Sequence, residues 1–202
     1  MFLSKIELDR RNPSVRQALK NCNDMHRNLM GFFEMPRKEA GVLYRLHLTD
    51  FSASVYLLSD SLLKPRSNAT GMSLVGSKLI DGFLQSLTEG EIFNFDLLTL
   101  PSKKKPVEGQ KNSRRIALRS AGERADWLRG KAAQYGFEII WSREDGMYKQ
   151  FGKSGKDEMY LTAIQFRGML RITDTALFTK AYTCGIGPAK SYGLGMLLLS
   201  KP

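Results

Sequence analysis

His26 is one of two histidines in this chain of 202 residues. A free imidazole titrates near pH 6.5, roughly, so it can move protons at neutral pH. RNA carries its own nucleophile, the 2′-hydroxyl. A protein that cuts RNA need only deprotonate that hydroxyl, align it with phosphorus, protonate the departing 5′-oxygen and stabilise the added charge. None of these steps requires a metal. Asp24 and Arg27 place His26 at the edge of an apolar stripe, where it could face solvent; an ordinary helix histidine has the same surroundings. His47 alternates with Leu43 and Arg45 on the more polar face of a strand and reads as a surface or supporting residue. Cys22 and His26 could share a helix face, but a zinc site with His47 and Cys184 would consume every Cys and His, so no metal and no cofactor is expected.

The second chemical feature is the run from Gly185 to Gly195, G-x-G-x-x-K-x-x-G-x-G. Glycines let backbone N–H groups approach a phosphate without a Cβ in the way, and Lys190 adds a point charge. The run is no dinucleotide fingerprint, because Lys190 stands at the third glycine and a helical stretch precedes it. It also lacks the Gly-Lys-Ser/Thr ending of a P-loop. The plain alternative is a helix-to-strand connection without a ligand.

Charge supplies the third. Lys and Arg number 31 against 20 Asp and Glu, a formal net charge of +11. A basic balance favours phosphate-rich partners. Two basic clusters stand out: Lys103, Lys104 and Lys105 with Arg114 and Arg115, and the turn Gly152-Lys-Ser-Gly-Lys156. A glycine turn with two lysines suits the groove of an A-form stem, whose walls are phosphates; lysine-rich loops are more often just solvated. Arg124, Arg129 and Lys131 of a helix after Ser120 could add to them. Two cysteines are too few for a disulfide framework, which points to a reducing, cytoplasmic setting, and no signal-like or membrane-length apolar run occurs.

These residues must be positioned by something, and the hydropathy pattern gives one unit twice. FLSKIEL at 2–8 alternates as a strand, Val15 to Phe33 carries a helical stripe with a restart at Asn23 and Asp24, and VLYRLHL and SVYLLS make a hairpin. Leu79 to Leu87 is helical, and EIFNFDLL at 91–98 closes a βαββαβ unit. Residues 101–113 read as a basic linker, with Pro101, Pro106 and Gly109 breaking it. A second βαββαβ follows: RIALR, a helix opened by the capping box Ser120-Ala-Gly-Glu123, a strand at 137–141, a Gly- and Lys-rich excursion to Asp157, a strand at 160–172, a helix over Ala176 to Tyr182 and a last strand in GMLLLS. The expected fold is α+β, two tandem ferredoxin-like domains at 1–100 and 114–202, an architecture shared with RNA recognition modules. No basic-Gly-aromatic motif is present, so base stacking on the sheet face is not expected.

FLSKIEL, Met25-His26-Arg27, the Arg115-to-Leu128 segment, GKSGK at 152–156, FRGMLRITD at 166–174 and GIGPAKSYGLGMLLLS together resemble the CasE-type endoribonucleases of type I-E CRISPR systems, over nearly the whole chain. The resemblance implies that His26 matches the family's catalytic histidine. It implies metal-independent transesterification at the base of a repeat stem-loop, leaving a 2′,3′-cyclic phosphate and a 5′-hydroxyl. It further implies that the enzyme stays on its product within the Cascade complex, so that repeat RNA and the other Cascade subunits are its partners. The residues expected on RNA are Arg27, Lys103, Lys104, Arg114, Arg115, Lys153, Lys156, Gly185, Gly187, Lys190 and Ser191.

Two positions depart from the family pattern. A tyrosine is expected three residues before the histidine, and Asn23 stands there; Tyr192 and Lys190 are candidates to take over its task. An arginine-rich F-R-L-R-A-N-P-x-K pattern is expected where Phe95-Asp-Leu-Leu-Thr-Leu-Pro-Ser-Lys103 is found. A non-catalytic subunit that caps the guide-RNA stem is therefore the second reading, and a basic scaffold without an RNA role the third.

Overall fold

The computed structural model describes residues 1–35, 37–64, 70–106 and 114–202. Two four-stranded antiparallel sheets organise it. In the first, β1 (Phe2–Leu8), β2 (Leu43–Leu48), β3 (Ala53–Ser59) and β4 (Met72–Leu79) lie in the order β2-β3-β1-β4. In the second, β5 (Ile92–Thr99), β8 (Phe137–Ser154), β9 (Asp157–Ile172) and β10 (Leu197–Ser200) lie in the order β10-β5-β9-β8. Both orders are those of a ferredoxin-like unit, so the tandem α+β expectation holds.

Helices α1 (Pro13–Lys20) and α2 (Cys22–Met30) cover one face of the first sheet, with Val15, Ala18, Met25 and Leu29 packed on Ile6, Val55 and Leu57. A short α3 (Arg37–Ala40) precedes β2, and α4 (Asp81–Ser86) links the sheets. A two-stranded ribbon, β6 (Ser102–Lys105) with β7 (Arg114–Ala117), then leads into α5 (Ala121–Gln134). Helices α5 and α6 (Thr175–Cys184) cover the second sheet through Leu128, Ala132, Phe178 and Ala181. The capping box at Ser120 forms as expected, its hydroxyl and Glu123 exchanging hydrogen bonds with each other's backbone.

Strand pairing corrects the expected domain limits. Ile92–Thr99 is not the last strand of the first unit but an inner strand of the second sheet, paired with β9 and β10. The fourth strand of the first sheet is Met72–Leu79, a segment with no strand signal in its sequence. The physical reason lies in burial. β4 is an edge strand buried only at Met72, with Gly76 and Lys78 facing water, so it carries no alternation signal. The sheets therefore meet between Leu79 and Ile92, not at 101–113, and RIALR belongs to the β6–β7 ribbon rather than to a main sheet. Of that expected linker, residues 102–105 are strand and residues 107–113 lie outside the described ones. The Gly- and Lys-rich excursion is likewise the far half of one long β8–β9 hairpin, paired from Phe137↔Ile172 to Ser154↔Asp157.

The polar contacts that tie the units together include one at Asn21 and one at Arg45. Asn21, buried between α1 and α2, caps α2 by accepting from Asn23 N at 3.1 Å. The same side chain grips the hairpin tip, accepting from Lys153 N at 3.0 Å and donating to Lys153 O at 3.2 Å. The helix restart expected at Asn23 is set by this residue. The second contact lies at the seam between the sheets. Arg45 of β2, its side chain only 8% exposed, donates to Asp96 Oδ1 of β5 at 2.8 Å. Asp96 Oδ2 accepts from Gln165 at 2.6 Å and Arg167 at 2.9 Å, and Gln165 in turn accepts from Tyr148 at 2.8 Å. Burial disfavours the Arg45 charge, and the Asp96 carboxylate opposes that.

Two outcomes follow from these contacts. Asp96→Ala strands a buried guanidinium, which costs about 3 kcal/mol, whereas Asp96→Asn costs less because it keeps an acceptor; urea denaturation of the two variants measures both, and equal midpoints would show the seam to be incidental. Burial also raises the Cys22 thiol pKa, and Gly152 packs so closely that a Cβ there would lie 2.9 Å from Cys22 Sγ. Asn21→Ala should release the tip and speed alkylation of Cys22 while leaving exposed Cys184 unchanged, as site-resolved mass spectrometry would report.

Candidate functional site

The site is best built outward from α2. Its amphipathic pattern buries Met25 and Leu29 and leaves His26 partly buried and Arg27 exposed. Arg27 pairs with Asp24 at 2.9 Å, an exposed contact one helical turn long. Such a pair contributes at most a few tenths of a kcal/mol, roughly, so it leaves Arg27 available to an anion.

Two elements of the second unit converge on this helix. The hairpin tip is held on its first turn by Asn21, and a Cβ at Gly152 would stand 3.2 Å from Asn23 Nδ2. Asn23, at the expected tyrosine position, thus lies against the basic turn. Lys153 pairs with Glu158 at 2.9 Å across that turn, Gly155 takes a left-handed φ of 61°, and Lys156 is exposed at its end. The 3-10 turn Lys190–Tyr192, the crest of the glycine loop, also packs against α2 and β2, with the Tyr44 hydroxyl donating to Ser191 O at 3.0 Å.

The glycines themselves are needed for folding. Gly185, Gly187, Gly193 and Gly195 all have φ between 77° and 90°, a region closed to most side chains. A Cβ on Gly185 would strike Leu43, one on Gly187 Thr99 Oγ1, one on Gly193 the Tyr44 ring and one on Gly195 Ile186 O. Ile186 N donates to Gly195 O, and Gly195 N donates to Leu98 O, so these amides hold the loop shut. The expectation that Gly185 lies on RNA is corrected accordingly: it is buried under Leu43. Gly187 and residues 188–192 remain part-exposed at the surface.

The structure separates the two candidates for the missing tyrosine's task. Tyr192 lines the cleft between the sheets, whose wall also includes Cys22 and Met25 of α2. Lys190 lines a different groove with Asp60, Gly41 and Cys184. His47 lies at the cleft's rim, exposed and edge-on to Tyr56.

The remaining basic residues form a second group on the β6–β7 ribbon. Lys104 is exposed, Lys103 pairs with Glu123 at 3.2 Å, and Arg115 donates to Ser102 Oγ at 3.2 Å. The Arg114 side chain lies outside the described part of the structure. Arg124 is withdrawn from the candidates for RNA contact. It is buried and held by Glu144 through two bonds of 2.7 and 2.6 Å, with a third to Arg119 O.

Sequence reasoning missed Asn21 and the seam of Arg45, Asp96 and Gln165. Arg45 carried a faint signal as a charge inside the apolar run LYRLHL. Asp96 had been noted only as a departure from the family pattern; its carboxylate is what lets Arg45 and Arg167 sit side by side.

Comparison with known proteins agrees with this architecture. The family described as "CRISPR associated protein" matches residues 1–201. The chain is 24% identical to CRISPR-associated endoribonuclease Cse3 of Thermus thermophilus over 98% of both proteins, and 26% identical to the Cascade subunit CasE of Escherichia coli over 99% of both. Among solved structures it superposes on Cse3 bound to a 19-nucleotide RNA with a TM-score of 0.85 at 21% identity, covering 99% of this chain and 100% of that one. It superposes on Escherichia coli Cas6e with a TM-score of 0.77 at 22% identity, over the full length of each. With a family match spanning all but its last residue, the chain belongs to these CRISPR-associated proteins.

Proposed function

We propose that the chain is an endoribonuclease that cleaves CRISPR precursor RNA at the base of the repeat stem-loop and remains on the product within Cascade. The observation that carries this reading is the convergence on α2: the helix bearing His26 is gripped at its first turn by a basic hairpin tip and packed against by the glycine-loop crest. The relatives' names, an RNA endonuclease and a Cascade subunit, support it.

In this mechanism His26 takes or returns the proton exchanged between the 2′-hydroxyl and the 5′-oxygen. The 2′-oxygen attacks phosphorus, the bond to the 5′-oxygen breaks, and the products are a 2′,3′-cyclic phosphate and a 5′-hydroxyl. The chain's own cations stabilise the transition state, so no metal enters. Lys153 and Lys156 hold the stem's phosphates from the hairpin, and Arg27, Lys103, Lys104, Arg114 and Arg115 extend the contact. Gly187, Lys190 and Ser191 would add contacts from the glycine loop. Asn23 can orient a group by hydrogen bonding but cannot ionise usefully, so Tyr192, which lines a cleft with Cys22 and Met25 of α2, is the phenol that would take over the task.

Asn23 also favours one second reading, a stem-binding subunit with little or no cleavage. A single experiment separates the two. With its host's repeat RNA in EDTA, wild type should cut, His26→Ala should lose at least about 10²-fold in rate, and a 2′-deoxy nucleotide at the cut site should stop cleavage while sparing binding. Metal dependence or unimpaired cutting by His26→Ala would overturn the mechanism, and tight binding without any scission would establish the second reading. The basic tip has its own measurement. Replacing Lys153 and Lys156 by Ala should flatten the slope of log affinity against log salt by about 1 per lysine, and an unchanged slope would remove the tip from the interface.

A further inference from the structure

The cleft between the two sheets has a lining that, apart from Tyr192, has no part in the proposed cleavage chemistry. It encloses about 380 Å³, within the range of small-ligand sites, roughly 300–1,000 Å³. Its walls come from both units: Arg45 from β2, Asp96 from β5, Tyr148 and Gln150 from β8, Arg167 from β9, and Tyr192 from the glycine-loop crest.

Two buried polar atoms of this lining have no hydrogen-bond partner among the described residues. One is Arg45 Nη1, on a side chain more than nine-tenths buried, and the other is Gln150 Oε1. Each is costly to leave unmet, the charged group more so, and native proteins hold few such atoms. One is a donor and the other an acceptor. Every nucleobase offers an edge bearing both complements. Tyr148 and Tyr192 add aromatic faces on which a base can stack. Arg167, half exposed at the mouth, pairs with Asp96 at 2.9 Å and Asp145 at 2.7 Å.

We infer that this cleft binds one unpaired nucleotide of the RNA flanking the repeat stem, its base between the tyrosines and its polar edge meeting Arg45 and Gln150. The source of the nucleotide rests on the RNA-processing reading above. The position fits that source, because α2, which carries His26, and the β8–β9 hairpin, which would hold the stem, both contribute wall residues. The seam gives the site its rigidity: Asp96 fixes Arg45 Nη2 and leaves Nη1 unspent.

The test is an abasic scan. Repeat hairpins, made uncleavable by a 2′-deoxy nucleotide at the cut site, carry an abasic residue at each unpaired flanking position in turn. Affinities are measured for wild type, Gln150→Leu and Tyr148→Ala, with thermal unfolding to confirm that both variants fold. One abasic position should weaken wild-type binding about tenfold. Each variant should bind intact RNA more weakly and lose most of its sensitivity at that same position, because the lost contacts are shared. A flat scan on wild type, or losses that simply add, overturns the inference even if His26-dependent cleavage is intact. Free AMP, GMP, CMP and UMP form the second arm: micromolar binding of any of them that repeat RNA does not displace would make the cleft a separate mononucleotide site and also overturn it. If repeat RNA binds no better than an unrelated hairpin, the functional reading fails first and the inference falls with it.

Discussion

The carboxylate of Asp96 is the contact on which the arrangement of the two sheets turns. It stands on the face of β5 opposite Phe93, Phe95 and Leu97, which are committed to the second core. On that face it collects three donors, Arg45 from the first sheet and Gln165 and Arg167 from the second. The apolar contact between the units, with Leu43 and Leu58 of the first sheet joined to the core of the second, supplies the greater part of the adhesion. Apolar contact is non-directional, however, and would tolerate sliding. A bonded, buried guanidinium has few acceptable positions, so the seam fixes register where the greasy surface does not.

Fixed register matters because the candidate site is assembled from both units. His26 comes from the first, and the hairpin tip and the glycine-loop crest come from the second. Asn21 links the tip to α2 by spending one amide on three backbone groups, a helix cap and both polar atoms of Lys153. The glycine loop contributes in a way opposite to that suggested by its composition. Its glycines close it against Leu43, Thr99 and Tyr44, and only the crest from 188 to 192 is left to present side chains. Phosphate-binding loops leave their amides open; here the amides of Ile186 and Gly195 are spent internally.

Much of this was legible in the sequence, and the parts that were not share a physical cause. The cap of α5, the 43–59 hairpin and the repetition of the unit could be read because each has a strong local signal: a capping box, an alternating face, a helical stripe. The assignment of strands to sheets failed at β4 and β5, because an edge strand buried at one residue looks like a loop, while a strongly alternating strand such as IFNFDLLT does not announce which sheet it enters. The length of the β8–β9 hairpin was hidden by Gly146, Gly152 and the lysines, residues that interrupt a pattern without interrupting the pairing. Of the site, His26 and the basic turn were visible as chemical types. Asn21, Arg45 and Asp96 were not, since an Asn between helices, an Arg in a strand and an Asp before two leucines take their meaning from partners dozens of residues away.

Asn23 bears on how fast the proposed enzyme needs to be. A positioned acid or base contributes about 10²–10⁴ in rate, so its absence is severe for an enzyme that turns over. For one that holds its product, the demand differs: each molecule must cut once before the assembled complex is used, and any rate that achieves this suffices. Under that proposal selection falls on affinity and register, to which the Asn21 clamp, the basic tip and the Asp96 seam would contribute more than a proton relay. An amide at position 23, lying against Gly152, suits that balance, because it keeps a compact hydrogen-bonding group under the hairpin.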